Sequence, residues 1–300
     1  MAEENKKPTL TIGIPTFNRG FYLEQCLEWI YGEINDDPNI EILVCDNCST
    51  DNTEEIVKKY KAKYSNLVYF KQAKNEGFAR NLKTVLELAQ GEYINPHGDD
   101  DFFNRGIITE IIKLINQNED VSVIYAPWTG CNLTAIQGVG FNDYLNQLNG
   151  ITFITSMIIN NKHYKELEDK DRYINTEVNQ VYIQMELLKK NPKFYIFTGN
   201  ILKLGSGHAP RIGYDLLEVI GDYFDILYDY EKHGLEKQTI KNEKNKMVNS
   251  VIIPSIHAII RKEIGVGIQG IDEFFTKYYS EEDYFEQKLN EIKGLLKSIN

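Results

Sequence analysis

The sequence predicts an α/β fold, a mostly parallel sheet flanked by helices and followed by a helical C-terminal region. Three observations carry that expectation. Short β-branched runs alternate with segments of helical apolar spacing up to about residue 125. Polar clusters at Thr16–Arg19, Asp46–Thr53 and Asp99–Asp101 each come after a strand-like run. From Tyr214 to Tyr230 and from Ile271 to Ile299 the spacing is helical and rich in Tyr, Leu and Ile. Strand–helix alternation implies parallel strands covered by helices on both faces, and ligands of such sheets sit beyond the carboxyl ends of the strands. The three clusters are therefore expected to line one crevice.

Leu10–Pro15 is apolar, β-branched and ended by Pro, which predicts a buried strand. Phe21–Ile34 sets Leu23, Leu27, Ile30, Tyr31 and Ile34 at helical spacing. Ile40–Cys45 reads as a second buried strand, and Asp46–Thr53 after it as a loop dense in helix-capping residues. Helix Glu54–Tyr64, strand Leu67–Lys71, helix Phe78–Gln90, strand Glu92–Asn95, helix Gly106–Asn118 and strand Val121–Tyr125 continue the alternation. Past Ala126 the pattern loosens into strand Ile151–Ile159, helix Gln180–Lys190 and strand Phe194–Thr198. Glu231–Lys246 is charged and reads as a solvated helix face or a mobile connection.

With 300 residues and 42% hydrophobic content the chain can bury a substantial core, as one large domain or two. A net charge of −11 with no basic stripe argues against nucleic-acid binding. Met1–Lys7 is short and polar without an apolar signal core, and stretches such as Val251–Ile260 fall short of a membrane span, so a cytoplasmic protein is expected. Cys45 and Cys48 have metal-ligand spacing, but no second pair completes a zinc site, and reduced thiols are expected. Gly265-x-Gly267-x-x-Gly270 matches the dinucleotide fingerprint formally, yet it follows a helix-like segment rather than a strand.

The most informative stretch is Gly98-Asp99-Asp100-Asp101 after an apolar run. Two unit charges about 4 Å apart repel by about 1 kcal/mol in water and about 4 kcal/mol at a protein surface. Such crowding is tolerated when the carboxylates are solvated or when a cation sits among them. Hard oxygen ligands suit Mg²⁺ or Mn²⁺, which take one or two carboxylates together with substrate phosphate oxygens.

Four segments, in this order and spacing, resemble the inverting nucleotide-sugar glycosyltransferases of family 2, which have the GT-A fold. They are Ile12–Arg19, Val44–Thr53, Asn75–Asn81, and Gly91–Ile94 leading into Gly98–Asp101. The short Asn75–Asn81 loop and Gly-Asp-Asp-Asp are similar to a sub-branch that includes abequosyltransferase-like enzymes of bacterial surface polysaccharide assembly. The resemblance implies a GT-A catalytic domain over 8–212, with a nucleotide-sugar-binding half at 8–125 and an acceptor-binding half at 126–212, and a helical region at 213–300. It implies that Pro15, Thr16, Phe17 and Asn18 line the nucleotide pocket. Asp46 should accept a hydrogen bond from base or ribose, while Asn75 and Gly77 close over the nucleotide and Arg80 is available to phosphate. Asp100 should meet a Mn²⁺ or Mg²⁺ ion, with Asp101 beside it and Asp99 on the donor. Many members have Asp where this chain has Gly98. Asp51 is read as a helix cap, and His97 as packed or hydrogen-bonded rather than a ligand.

An inverting transferase needs a base for the acceptor hydroxyl. Glu177, in Asn175–Gln180 at the start of a helix, is the choice, with Asp143 and Asp171 as runners-up. His208 is a further contact candidate. The implied partners are a nucleoside-diphosphate sugar donor and a glycan, lipid-linked or polymer acceptor. The Tyr-rich C-terminal helices leave peripheral membrane contact and homo-oligomerisation open, with completion of the core as the default. Two other functions stay open: a sugar-nucleotide-binding module without transfer activity, and a sugar nucleotidyltransferase. The latter needs a Gly-rich phosphate loop, of which Thr16–Gly20 is a poor version.

Overall fold

The computed structural model describes residues 7–117, 120–127, 131–199, 202–203 and 212–297. Strands β1 (Leu10–Thr16), β2 (Ile40–Asp46), β3 (Leu67–Lys71) and β4 (Tyr93–Pro96) alternate with helices α1 (Gly20–Ile34), α2 (Thr53–Lys61) and α3 (Phe78–Leu88). A short β5 (Phe102–Phe103), α4 (Ile107–Gln117), β6 (Val123–Tyr125), β7 (Cys131–Val139), α5 (Phe141–Gln147), β8 (Met157–Asn160) and α6 (Asn161–Lys165) follow. The remainder is α7 (Asn179–Lys190), β9 (Lys193–Gly199), β10 (Leu202–Lys203), β11 (Ile212–Asp215), α8 (Leu216–Asp229), α9 (Lys237–Met247), α10 (Ile253–Ile260), β12 (Gly265–Gly267), α11 (Ile271–Tyr279) and α12 (Phe285–Leu296).

The main sheet has the order β3-β2-β1-β4-β8-β6-β9-β7. Its first half is parallel: β1 pairs with β2 from Leu10↔Ile40 to Thr16↔Asp46, and with β4 from Leu10↔Tyr93 to Gly13↔Pro96. These registers bring the carboxyl ends of β1, β2 and β4 together, which is where the three polar clusters begin. Every residue of β1 and β2 is buried, as expected of strands covered on both faces. Neighbours on β2 point to opposite sides: Ile42 and Val44 join the core under α1 and α4, Leu43 and Cys45 the core under α3.

The second half of the sheet is mixed. β8 lies antiparallel between β4 and β6, and β7 antiparallel beside β9. The expected strand Ile151–Ile159 is therefore shorter and later than its apolar run, because Ile154–Ser156 forms a 3₁₀ turn first. β7 was missed, since its sequence alternates weakly and carries Gly138. Elsewhere boundaries agree to within a few residues, and Leu67–Lys71 agrees at both ends.

Beyond β9 the helices α8 to α12 share one apolar core with the sheet, running from Leu43 through Tyr223 and Phe275 to Ile292. The charged segment Glu231–Lys246 is not a solvated face or a loose connection. It contributes α9, whose Glu243 is fully buried, accepts from Tyr223 Oη at 2.6 Å and pairs with Lys246 at 2.8 Å. A π-helical turn, Val248–Ile252, joins α9 to α10. In the Gly-x-Gly-x-x-Gly stretch, Gly265–Gly267 is itself strand β12, paired with β11 in a separate two-stranded sheet, so the first two glycines lie within a strand rather than in the turn after one. Among the described residues no helix is long and apolar enough to cross a membrane.

Candidate active site

A cleft of about 710 Å³ opens beyond the carboxyl ends of the parallel strands. Pro15, Thr16, Phe17, Asn75, Gly77 and Asp99 line it, as do Asp100, Asp101 and Glu177. The crevice expected from the three clusters exists, and most of the expected residues meet in it. Asn18, Asp46 and Arg80 do not line it.

The acidic triplet is built into the fold through separate partners. Asp99 is 5% exposed. Its Oδ2 accepts from Thr16 Oγ1 at 2.7 Å and its Oδ1 from Arg19 Nε at 2.7 Å. Arg19 Nη2 reaches Asp100 Oδ2 at 2.6 Å, so one guanidinium spans both carboxylates. Burial raises the Asp99 pKa to about 6, against the pull of Arg19 and Thr16. Burial also opposes the Arg19 charge, but Asp99 and Asp100 outweigh it and raise the guanidinium further. Arg19 lies over the Tyr22 ring at 4.6 Å, a cation–π contact that fixes its stem.

Asp101 turns the other way, its Oδ2 accepting from Thr155 Oγ1. Thr155 Oγ1 in turn accepts from the Gly98 amide at 2.9 Å. This packing accounts for Gly98. A Cβ at that position would lie 2.3 Å from Asp101 Oδ2, so a side chain there requires the Asp101 carboxylate to shift from its place on Thr155. His97 is fully buried, with Nε2 3.1 Å from the Asp101 carbonyl and Nδ1 3.3 Å from Asn95 Oδ1. Burial depresses its pKa to about 4, so the ring is neutral and braces the acidic turn.

The β2 cluster departs from expectation at Asp46. That residue is fully buried; Oδ1 accepts from Ser49 N and Oδ2 from Tyr69 Oη, each at 2.7 Å. The carboxylate is held by its own loop and by β3, where Lys71 Nζ also lies 3.9 Å away, and the cleft-lining position belongs to Asn47. Asn47 Nδ2 donates to Asn75 Oδ1 at 2.8 Å and to the Gly77 carbonyl at 3.2 Å, while its Oδ1 accepts from Glu76 N at 2.9 Å. Gly77 adopts φ +85°, which glycine alone takes without strain, and caps α3. Asn18, at φ +52°, ties the first two clusters together: its amide donates to Ser49 Oγ and its Oδ1 accepts from Thr50 N, both at 2.8 Å. Asp51 accepts from Gly20 N and Thr53 N at the starts of α1 and α2, as a cap should.

Arg80 points across to Asn175, Nη2 to Oδ1 at 2.8 Å. It clips α3 to the Asn175–Gln180 segment instead of lining the cleft, whereas Arg19 does line it. Glu177 lines the cleft and accepts no hydrogen bond from any described residue; burial first, then the Glu218 charge, raise its pKa. Asp171 is taken by Lys83 at 2.7 Å, and Asp143 accepts from Val139 N at the start of α5. His208 lies outside the described residues. Asn81 and Gln180 also line the cleft, each with a buried amide oxygen that has no partner among the described residues. Another part of the lining is mostly apolar: Leu216, Val219, Ile220 and Tyr223 of α8, with Met247 at the end of α9 and Val251 in the π-helical turn.

Of these, Arg19 and Asn47 lay inside the quoted motifs without a role. Thr155 and the α8 wall had no local signal, because their place depends on tertiary packing.

Sequence offers donor groups for a divalent ion but no cage. Among the described residues no group of three His, Cys, Asp or Glu side chains could hold a metal. Asp100 is the triplet member whose side chain reaches the cleft surface most, 24% exposed against 6% for Asp99. That donor set fits an ion completed by substrate phosphate oxygens and water.

Fold and cleft together define the class, a GT-A-type α/β protein with its binding crevice beyond the carboxyl ends of a parallel sheet. The chain belongs to glycosyl transferase family 2, whose profile matches residues 11–183. It is 26% identical over 197 residues to the abequosyltransferase RfbV of Salmonella typhimurium, a match covering 58% of this chain and 59% of that protein. It is 30% identical over 120 residues to an uncharacterized glycosyltransferase of Mycoplasma pneumoniae, covering 40% of each. The chain thus spans between two fifths and three fifths of these relatives' lengths. Residues 1–349 of Staphylococcus aureus TarS in complex with UDP-GlcNAc share the fold, with a TM-score of 0.64 at 16% identity over 97% of this chain and 91% of that one. A Pyrobaculum calidifontis mannosyltransferase bound to GDP-Man and Mn²⁺ superposes with a TM-score of 0.60 at 15% identity, over 98% and 86%.

Proposed function

We propose that this protein transfers a hexose-type sugar from a nucleoside-diphosphate donor to an acceptor hydroxyl with inversion, in bacterial cell-surface glycan assembly. The observation that carries it is one cleft lined by both the Arg19–Asp99–Asp100 cluster and Glu177, which accepts no hydrogen bond from any described residue. The names of the relatives, an abequosyltransferase and the poly(ribitol-phosphate) β-N-acetylglucosaminyltransferase TarS, support sugar transfer, with a polymer acceptor in the second case; the acceptor we propose is a glycan, a lipid-linked intermediate or a polymer. We place the activity in the cytoplasm, at the inner membrane face where the acceptor is lipid-linked.

Asn47, Asn75 and Gly77 hold the nucleoside, and Thr16 with Arg19 orients the acidic turn beside the diphosphate. Glu177 takes the acceptor proton as the glycosidic bond forms on the opposite face of the sugar. A Mn²⁺ or Mg²⁺ held by Asp100, with Asp101 behind it, would offset the charge building on the departing diphosphate. A cleft carboxylate that accepts no hydrogen bond from any described residue favours an enzyme over a silent binding module.

A thermal-shift screen with UDP, CDP, GDP and dTDP sugars, with and without Mn²⁺, tests the proposal. Metal-dependent stabilisation by one donor family is expected, with the response lost in Asp100→Asn. No stabilisation by any donor under either condition would refute it.

A further inference from the structure

Arg19 already holds the carboxylate that a metal ion needs. Its Nε and Nη2 sit 2.7 Å and 2.6 Å from Asp99 and Asp100, an arrangement with two fixed points for one planar guanidinium. A divalent ion arriving alone at Asp100 meets a positive charge within contact distance of the same oxygen, and the two cations repel. A diphosphate changes that balance. Arg19 lines the cleft with 28% of its side chain exposed, and Asp99 can keep Nε while Nη2 turns to a phosphate oxygen.

We infer that Arg19 is a positioning residue that makes metal and diphosphate bind cooperatively, by holding Asp100 until a phosphate draws the guanidinium away. The inference rests on the proposed donor chemistry and adds an order to it: the ion enters with the diphosphate rather than before it. Tyr22 under the guanidinium and Thr16 on Asp99 keep the arginine near both of its partners. Reciprocity follows from linkage: the factor by which UDP tightens Mn²⁺ equals the factor by which Mn²⁺ tightens UDP.

The test is Mn²⁺ binding by electron paramagnetic resonance, without nucleotide and with saturating UDP, CDP, GDP or dTDP in turn, on wild type, Arg19→Gln and Arg19→Lys. In wild type, the effective nucleotide is expected to tighten Mn²⁺ by about tenfold or more, within the usual range of site coupling. In Arg19→Gln, Mn²⁺ alone should bind several-fold tighter and the coupling should shrink, leaving the part that comes from phosphate oxygens on the ion itself. Arg19→Lys, which keeps a charge without the fork, should fall between and stands in if the Gln variant does not fold. If Arg19 only supports the turn, both Mn²⁺ affinities weaken together and their ratio stays put; that result overturns the inference while sparing the donor assignment. Failure of wild type to bind Mn²⁺ with any of the four nucleotides removes both.

Discussion

Asn47 and Asn75 are joined side chain to side chain, Nδ2 of the first donating to Oδ1 of the second at 2.8 Å. Asn75 Oδ1 also accepts from Gly77 N at 2.9 Å, so one carbonyl oxygen holds both the β2 loop and the turn that opens α3. The nucleotide side of the cleft is shaped by this knot rather than by either loop alone. Asn47→Ala removes the bonds to Asn75, Gly77 and Glu76, worth about 1–3 kcal/mol together. The loss falls on a loop at the cleft edge, so nucleotide affinity should drop about tenfold or more while the unfolding midpoint moves by only a few degrees. Calorimetry with the preferred nucleoside diphosphate checks it; unchanged affinity would show that the loop holds without Asn47.

Asp46 is expected to act on stability first. In Asp46→Ala the buried Ser49 amide and the half-buried Tyr69 hydroxyl each lose their acceptor, at about 1–3 kcal/mol for the buried donor and less for the other. Tyr69→Phe deletes one of the two bonds and should cost less than half as much. Urea denaturation without ligand gives both numbers. A stable Asp46→Ala protein that loses preference for one base would restore the base-reading role to this carboxylate.

His97 and Asp99 oppose one another in their effect on stability against pH. Asp99 has a folded pKa of about 6 against an ordinary 3.8, so between those values the folded state binds more protons and stability falls as pH rises. His97 has a folded pKa of about 4 against an ordinary 6.5, so the unfolded state binds more protons and stability rises with pH. Relative to wild type, His97→Gln should therefore lose stability as pH rises from about 4 to 6.5, and Asp99→Asn should gain it as pH rises from 3.8 to about 6. Denaturation midpoints in EDTA across this range decide the matter, and equal slopes in the two variants would contradict it.

The parallel half of the fold was legible because its strands are buried on both faces and read as continuous apolar runs, as in Leu10–Ile14 and Ile40–Cys45. The polar clusters followed from the same rule, since a strand end on such a sheet is where side chains meet solvent or ligand. Within a cluster, sequence could not say which side chain turns outward. Asp46 and Asn47 are neighbours, and the bonds from Ser49 and Tyr69 settle that the carboxylate faces in. Arg19 and Arg80 both sat beside plausible phosphate ligands. Only contacts some 80 and 95 positions away, to Asp99 and Asn175, separate their roles. The second half was harder because β8 enters antiparallel between β4 and β6, and α9 buries Glu243 by pairing it with Lys246 and Tyr223. Local charge suggested solvent there; the partners lie on other turns and other helices.

Glu177 carries the prediction for turnover. A base must be ionised to take the acceptor proton, and burial together with the Glu218 charge lifts Glu177 above the ordinary 4.5. The rate should fall as pH is lowered, with the acid limb lying above that ordinary carboxylate value. Glu218→Gln removes a like charge, lowers the Glu177 pKa and should move the limb to lower pH, with nucleotide affinity unchanged. Glu177→Gln should cut turnover by about 10²- to 10⁴-fold and keep nucleotide binding, since the amide retains the shape and loses the proton acceptor. Release of nucleoside diphosphate, followed with an acceptor or with water as acceptor, measures all three proteins. Wild-type turnover by Glu177→Gln would move the base elsewhere. A limb unmoved by Glu218→Gln, with Glu177→Gln inactive, would keep the base and remove Glu218 as the group that tunes it.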